Sequence, residues 1–300
     1  MNVGVLGAGT MGHGITQVVA MAGHDVVMRD IQVEFVERGI DSIESNLQEG
    51  VDREKVSSET KAATLERIDG TIDLAEAVEE ADLVIEAVPE DMSLKRETVE
   101  DVESLAPDDA LIASNTSSLS LTEIASALER PERAIGLHFF NPVHLMRLVE
   151  IVVPEQASEE TVATAESFVE GIDKEPVVVR DSAGFATSRL GVTLGVEAMR
   201  MLEEGVADPQ ALDAAMELGY NHPMGPIELG DVVGLDVRLD ILEHLREELG
   251  ERFRPPQILR QKVRAGKLGR KSGEGFYVWE DGEIVGVSGE YASAPGGDEQ

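Results

Sequence analysis

The chain has 300 residues, 42% of them hydrophobic, enough for one or two packed domains and too apolar for an acidic disordered polymer. Its 59 Asp and Glu against 25 Lys and Arg leave a net charge of −34, which excludes attraction to nucleic acid phosphates or anionic lipid. The lack of cysteine excludes disulfide and thiolate chemistry, and no apolar run approaches the roughly 20 residues of a membrane span.

Such self-repulsion is screened at molar salt, where the Debye length falls to about 3 Å. The charge balance therefore predicts a cytoplasmic protein of a salt-accumulating cell. The opening residues read as a core strand, so no signal peptide is expected.

The first predicted element is a strand over Val3–Leu6, running into Gly7-Ala8-Gly9-Thr10-Met11-Gly12 and a helix that ends at Ala22. A strand ending in Gly-x-Gly-x-x-Gly turns tightly and lets the backbone approach a pyrophosphate. The helix that follows aims its first N–H groups at that anion. Gly23 stops the helix and a second strand covers Asp25–Asp30. Asp30 then falls near the roughly 20-residue spacing expected of a ribose-binding acid. Gly7, Gly9, Thr10, Met11, Gly12 and Asp30 are thus the candidate dinucleotide contacts. Asp30 favours NAD, because a carboxylate repels the 2′-phosphate of NADP, while Arg29 beside it acts in the opposite sense.

The long charged segment from Val33 to Arg67 predicts one or two helices projecting from the sheet, the first over Val33–Gly50. Helices over Leu74–Glu80 and Leu94–Leu105 then alternate with strands at Leu83–Ala87, Ala110–Ser114, Ala134–Phe139, Leu148–Val153 and Pro176–Arg180. Alternation of this kind predicts an α/β, Rossmann-type domain over 1–181, a mainly parallel sheet with helices on both faces. After Asp181 the strand signal ends. Helices from Gly184 to Glu204, from Asp208-Pro209 to Gly219, from Pro226 to Gly250 and from Pro256 to Gly266 predict an all-helical domain over 182–279. Residues 280–300 lack a buried face and are expected to form a mobile tail.

A dehydrogenase acting on an alcohol must take up the hydroxyl proton as hydride leaves carbon. A neutral histidine suits that task, and a carboxylate fixes its tautomer. His138 ends an apolar strand, and Glu150 lies in the next strand, Leu148-Val149-Glu150-Ile151, where a carboxylate is costly unless paired. Neighbouring strands joined by a short loop bring the two within reach. A structural histidine beside an exposed glutamate is the competing reading from spacing alone.

Longer motifs narrow the choice. Ser114-Asn115-Thr116-Ser117-Ser118-Leu119, Gly136-Leu137-His138-Phe139-Phe140-Asn141-Pro142-Val143, Asp181-Ser182-Ala183-Gly184-Phe185, His222-Pro223-Met224-Gly225-Pro226-Ile227-Glu228-Leu229 and Gly269-Arg270-Lys271-Ser272-Gly273-Glu274-Gly275-Phe276-Tyr277 occur in this order. In these motifs the chain resembles the short-chain L-3-hydroxyacyl-CoA dehydrogenase family from residue 1 to about 279. The resemblance implies NAD-dependent, reversible oxidation of a 3-hydroxyacyl-CoA to the 3-ketoacyl-CoA. It implies His138 as general acid/base, Glu150 as its orienting partner and Ser117 as a hydrogen-bond partner of the reacting oxygen. It places Glu90, Lys95, Asn141 and Lys271 around the cofactor or the substrate.

The sequence departs from the family in two places. Ser188 in Gly184-Phe185-Ala186-Thr187-Ser188-Arg189-Leu190 stands where the family has an active-site asparagine, and a hydroxyl reaches less far. Of the lysines that face the CoA phosphates in many relatives, only Arg53 and Lys55 remain as candidates. That loss also fits a smaller substrate. A dehydrogenase of a free hydroxy acid, of the L-gulonate or carnitine type, is therefore the alternative on the same fold. A non-enzymatic relative such as a lens crystallin is disfavoured by Ser117, His138 and Glu150 together. Met199, Met201, Leu202 and the apolar face of Pro226–Leu249 suggest a homodimer.

Overall fold

The computed structural model describes residues 1–289, which divide into one unit over Met1–Ser182 and a second from Ala183 onward. In the first unit the order is β1 (Asn2–Leu6), α1 (Thr10–Met21), β2 (Asp25–Arg29), α2 (Val33–Asp52), α3 (Ser58–Leu65), β3 (Ile68–Thr71), α4 (Leu74–Val78), β4 (Leu83–Glu86) and α5 (Met92–Leu105). It continues with β5 (Leu111–Ser114), α6 (Leu121–Ala125), β6 (Ala134–Phe139), β7 (Leu148–Val153), α7 (Glu159–Gly171) and β8 (Glu175–Arg180).

These strands form one sheet in the order β3-β2-β1-β4-β5-β6-β7-β8. Strand pairing is parallel from β3 to β6, antiparallel between β6 and β7, and parallel again between β7 and β8. The reversal at β7 follows from its connection. The short stretch 140–147 holds no crossover helix, so the strand can only turn back. The sheet core is continuous, with Val5, Ile85, Ala113, Leu137 and Ile151 fully or almost fully buried beside Ile15 and Val19 of α1.

Two features of this unit differ from the sequence reading. The charged segment after Asp30 forms two helices, but α2 does not stand off the sheet. Val36, Ile43 and Leu47, at helical spacing, bury against Ala8 and Met28. Strand β3, Ile-Asp-Gly-Thr, has no alternating pattern, since it is a short edge strand whose central residues are exposed.

The second unit comprises α8 (Thr187–Glu203), α9 (Pro209–Tyr220), α10 (Pro226–Val233), α11 (Leu235–Leu249), α12 (Gln257–Arg264) and a hairpin of β9 (Tyr277–Glu280) with β10 (Glu283–Val287). Asp208 caps α9 by accepting from the Ala211 N–H at 2.8 Å, with Pro209 at the first helical position. The helix expected from Pro226 to Gly250 is broken at Gly234, whose φ of 107° lies in the left-handed region.

The tail expected from 280 onward is corrected as far as 289. Asp281 and Gly282 both take positive φ and close a two-residue hairpin turn. Ile284 and Val287 then pack on the helical core. Residues 290–300 of that expectation lie outside the described residues. Met199 and Leu202, expected at a dimer surface, are buried within this core, and Leu190, Leu218 and Tyr220 are exposed instead.

Two buried carboxylates tie the second unit together. Asp213 accepts from the Ile227 and Glu228 N–H groups at 2.7 and 2.9 Å, capping α10, and from the Tyr277 hydroxyl at 2.6 Å. Asp231 accepts from the Phe276 and Tyr277 N–H groups, both at 2.9 Å, and from Trp279 Nε1 at 3.0 Å. A Cβ at Gly225 would collide with the Asp213 side chain, and one at Gly269 or Gly275 with Asp231. Gly225, Gly269 and Gly275 of the two C-terminal motifs thus serve packing around these acids.

Candidate active site

The glycine turn sits between β1 and α1, and its three glycines are needed for different reasons. Gly7 has a φ of 106° and lies against the Ala87 carbonyl, while a Cβ at Gly12 would collide with the Gly7 carbonyl. A Cβ at Gly9 would meet nothing within 4 Å. Gly9 also begins α1 with no side chain capping it. An open glycine before uncapped helical N–H groups, with Thr10 and Met11 in the first turn, is the arrangement a pyrophosphate requires. Asp30 is brought to the same turn, where its Oδ2 accepts from the Ala8 N–H at 2.7 Å. Arg29 is turned to the sheet edge, donating from Nε to the Ile72 carbonyl at 3.2 Å. The chain's residues fit an NAD.

Beside this turn lies a cleft of about 350 Å³, bordered by Met11, Glu90, Lys95, Ser117, His138 and Asn141 among others. His138 and Glu150 are direct partners across the antiparallel β6–β7 pair. Nδ1 of His138 lies 2.8 Å from Glu150 Oε2, and the two residues are 6% and 0% exposed. A carboxylate accepts only, so the neutral imidazole carries its proton on Nδ1 and its basic lone pair on Nε2.

Opposite the pair, the 116–118 turn is gathered onto one carboxylate oxygen. Glu90 Oε1 accepts from Thr116 Oγ1 at 2.6 Å and from the Ser117 and Ser118 N–H groups at 3.0 and 3.2 Å. The Ser118 and Ser117 hydroxyls donate to it at 3.1 and 3.4 Å, so Ser117 is held most loosely. Burial alone favours the neutral acid of Glu90, but Lys95 and these donors outweigh it and hold the carboxyl below its usual range. Lys95 rises from the first turns of α5, whose start Asp91 caps by accepting from the Leu94 N–H at 2.8 Å.

Other candidates lie elsewhere. Arg53 ends α2 and pairs with Glu49 at 2.5 Å, both side chains exposed, and neither Arg53 nor Lys55 borders the cleft. The surface of α2 here is acidic, with Asp41, Glu44, Glu49 and Asp52 around a shallow depression. In the second unit, Ser188 is half-buried at the start of α8, and Lys271 pairs with Asp236 at 2.6 Å. Sequence reasoning missed Glu86, Asn115 and Thr116. Glu86 carried a signal like that of Glu150, a carboxylate in an otherwise apolar strand.

Known proteins match along the same lines. The model of the 3-hydroxyacyl-CoA dehydrogenase NAD binding domain matches residues 2–182, and that of the 3-hydroxyacyl-CoA dehydrogenase C-terminal domain matches 184–279. A probable 3-hydroxybutyryl-CoA dehydrogenase of Deinococcus radiodurans is 43% identical, covering 93% of this chain and 100% of its own. A 3-hydroxybutyryl-CoA dehydrogenase of Clostridioides difficile is 41% identical, covering 92% and 99%. Among solved structures, the (S)-3-hydroxybutyryl-CoA dehydrogenase of Ralstonia eutropha superposes with a TM-score of 0.90 at 40% identity, covering 93% of this chain and 99% of that one.

Proposed function

The chain belongs to the 3-hydroxyacyl-CoA dehydrogenase family, and on that premise we propose how it carries out the NAD-dependent, reversible oxidation of short-chain L-3-hydroxyacyl-CoA to 3-ketoacyl-CoA. His138 Nε2 takes up the proton of the substrate's C3 hydroxyl, and Glu150 stabilises the imidazolium that forms. Ser117 donates to the same oxygen, and Ser188, at the position of the family's asparagine, is proposed as a further polar group of the reaction. NAD, when bound, accepts the hydride from C3. The glycine turn and Thr10 and Met11 hold its pyrophosphate, Asp30 its ribose, and Glu90, Lys95, Asn141 and Lys271 act around cofactor or substrate. The observation that carries this reading is the 2.8 Å His138–Glu150 contact on the border of a cleft beside the glycine turn.

Arg53 and Lys55 are the residues proposed to meet the CoA phosphates. The acidic face of α2 and the engagement of Arg53 by Glu49 favour a second reading, a free small hydroxy acid as substrate. Initial rates with acetoacetyl-CoA and with free acetoacetate, in molar KCl, separate the two. The expected result is turnover of the CoA ester alone, with NADH preferred to NADPH by about tenfold or more because Asp30 meets the extra phosphate as a like charge. Faster turnover of the free acid overturns the CoA assignment. Ser188→Asn in the same assay is expected to retain or raise the rate.

The enzyme is further proposed to be cytoplasmic, suited to high salt, and a homodimer through its second unit, where Leu190, Leu218 and Tyr220 are exposed. Light scattering in molar KCl should give twice the chain mass. A single-chain mass there rejects the dimer.

A further inference from the structure

Glu86 closes β4, in register between Leu6 of β1 and Ser114 of β5, and is 1% exposed. A carboxylate at the centre of a sheet is retained only where its charge is met. Burial pushes its carboxyl up, opposed by the charge of Lys95 and then by the Ser114 hydroxyl. Lys95, itself 1% exposed, donates to the two Glu86 oxygens at 3.1 and 3.0 Å and to the Val88 carbonyl at 3.2 Å. An ammonium has three N–H bonds, and all three are thereby used. Lys95 consequently acts on Glu90 by charge, with Glu90 Oε2 at 3.4 Å. Glu90 Oε1 is left to gather the turn that carries Ser117.

We propose that Glu86 is a positioning residue: it anchors Lys95, Lys95 fixes Glu90, and Glu90 sets the 116–118 turn so that the Ser117 hydroxyl meets the substrate oxygen. The proposal rests on the role given to Ser117 above. Without the Glu86 charge, one ammonium faces one carboxylate. Glu90 is drawn towards Lys95, and the N–H groups of Ser117 and Ser118 lose their shared acceptor.

The test is Glu86→Gln, which keeps size and the Ser114 contact while removing the charge, with Glu86→Asp as the conservative variant. Hydrogen exchange of the cofactor-free protein, read at the Ser117 and Ser118 amides, is expected to quicken about tenfold in Glu86→Gln, the loss of one hydrogen bond's protection. The kcat should fall by about tenfold to a hundredfold through misplacement, with KM for the acyl-CoA little changed. Glu86→Asp should recover part of both. Wild-type exchange at these amides in Glu86→Gln overturns the proposal, whatever the activity. Faster exchange with unchanged kcat overturns it through the role of Ser117, and leaves His138 and Glu150 untouched. Should Glu86→Gln not fold, Glu86→Asp is read at the same amides, with a smaller quickening expected and wild-type exchange again decisive against.

Discussion

Replacing His138 by glutamine is expected to lower kcat for acetoacetyl-CoA reduction by about a thousandfold, within the range that a positioned acid/base contributes. KM should change little, because the proton moves only during reaction and a glutamine of similar reach still fills the cleft. Glu150→Gln should fall in the same direction through a different cause. Its uncharged amide no longer stabilises the imidazolium that gives up its proton during reduction. Steady-state rates at saturating NADH, with circular dichroism confirming the fold, decide the matter. Ordinary turnover by His138→Gln would falsify the acid/base assignment.

The second large effect is on folding. Asp231→Ala removes the shared acceptor of the Phe276 and Tyr277 N–H groups and Trp279 Nε1, from a residue that is 0% exposed. Each donor stranded in the core costs about 1–3 kcal/mol, so the loss is about 5 kcal/mol, comparable with the whole stability of an ordinary domain. Asp231→Asn should lose less, since one oxygen still accepts. Trp279 is the single tryptophan of the chain, so its fluorescence in a urea titration reports on this spot. Urea is preferred to guanidinium, whose ionic strength would screen the −34 charge. A free-energy shift below about 1 kcal/mol would show the hairpin to be held by apolar packing instead.

The parts of the fold that were legible share a cause. Strands buried on both faces, such as Leu83–Glu86 and Leu148–Val153, leave apolar runs that hold a single carboxylate each, and the glycine turn and Asp208-Pro209 have fixed chemistry. Strand β3 left no trace because an edge needs no apolar face. Gly234 was read through as helix because a glycine costs little in a pattern that otherwise continues; its positive φ is a tertiary property, fixed beside Asp236 and Lys271. Asp281-Gly282 is a turn dipeptide, and the apolar Ile284, Val285 and Val287 that follow it form only a short strand before the polar C-terminal stretch.

The site divides in the same way. His138 and Glu150 stood out as polar groups in apolar strands, and the register of two strands joined by a short loop places them opposite each other. Glu86 gave an equal signal but had no sequence neighbour to suggest a partner, since Lys95 comes from α5 and Ser114 from β5. That Glu90 gathers the 116–118 turn could not be read from spacing, because the two segments are far apart in the chain. The motif around Lys271 reads at first as chemistry, yet Gly269 and Gly275 are there to make room for Asp231.

Because the acid/base and its orienting partner stand face to face on one antiparallel ladder, their alignment is inherited from the backbone and does not depend on either side chain finding the other. The part of the bend beyond Val143, residues 144–147, can therefore vary in length over evolution without uncoupling them. One residue gained or lost inside either strand would send Glu150 to the sheet's reverse side. Natural variation in this lineage should accordingly collect in the bend and spare the ladder.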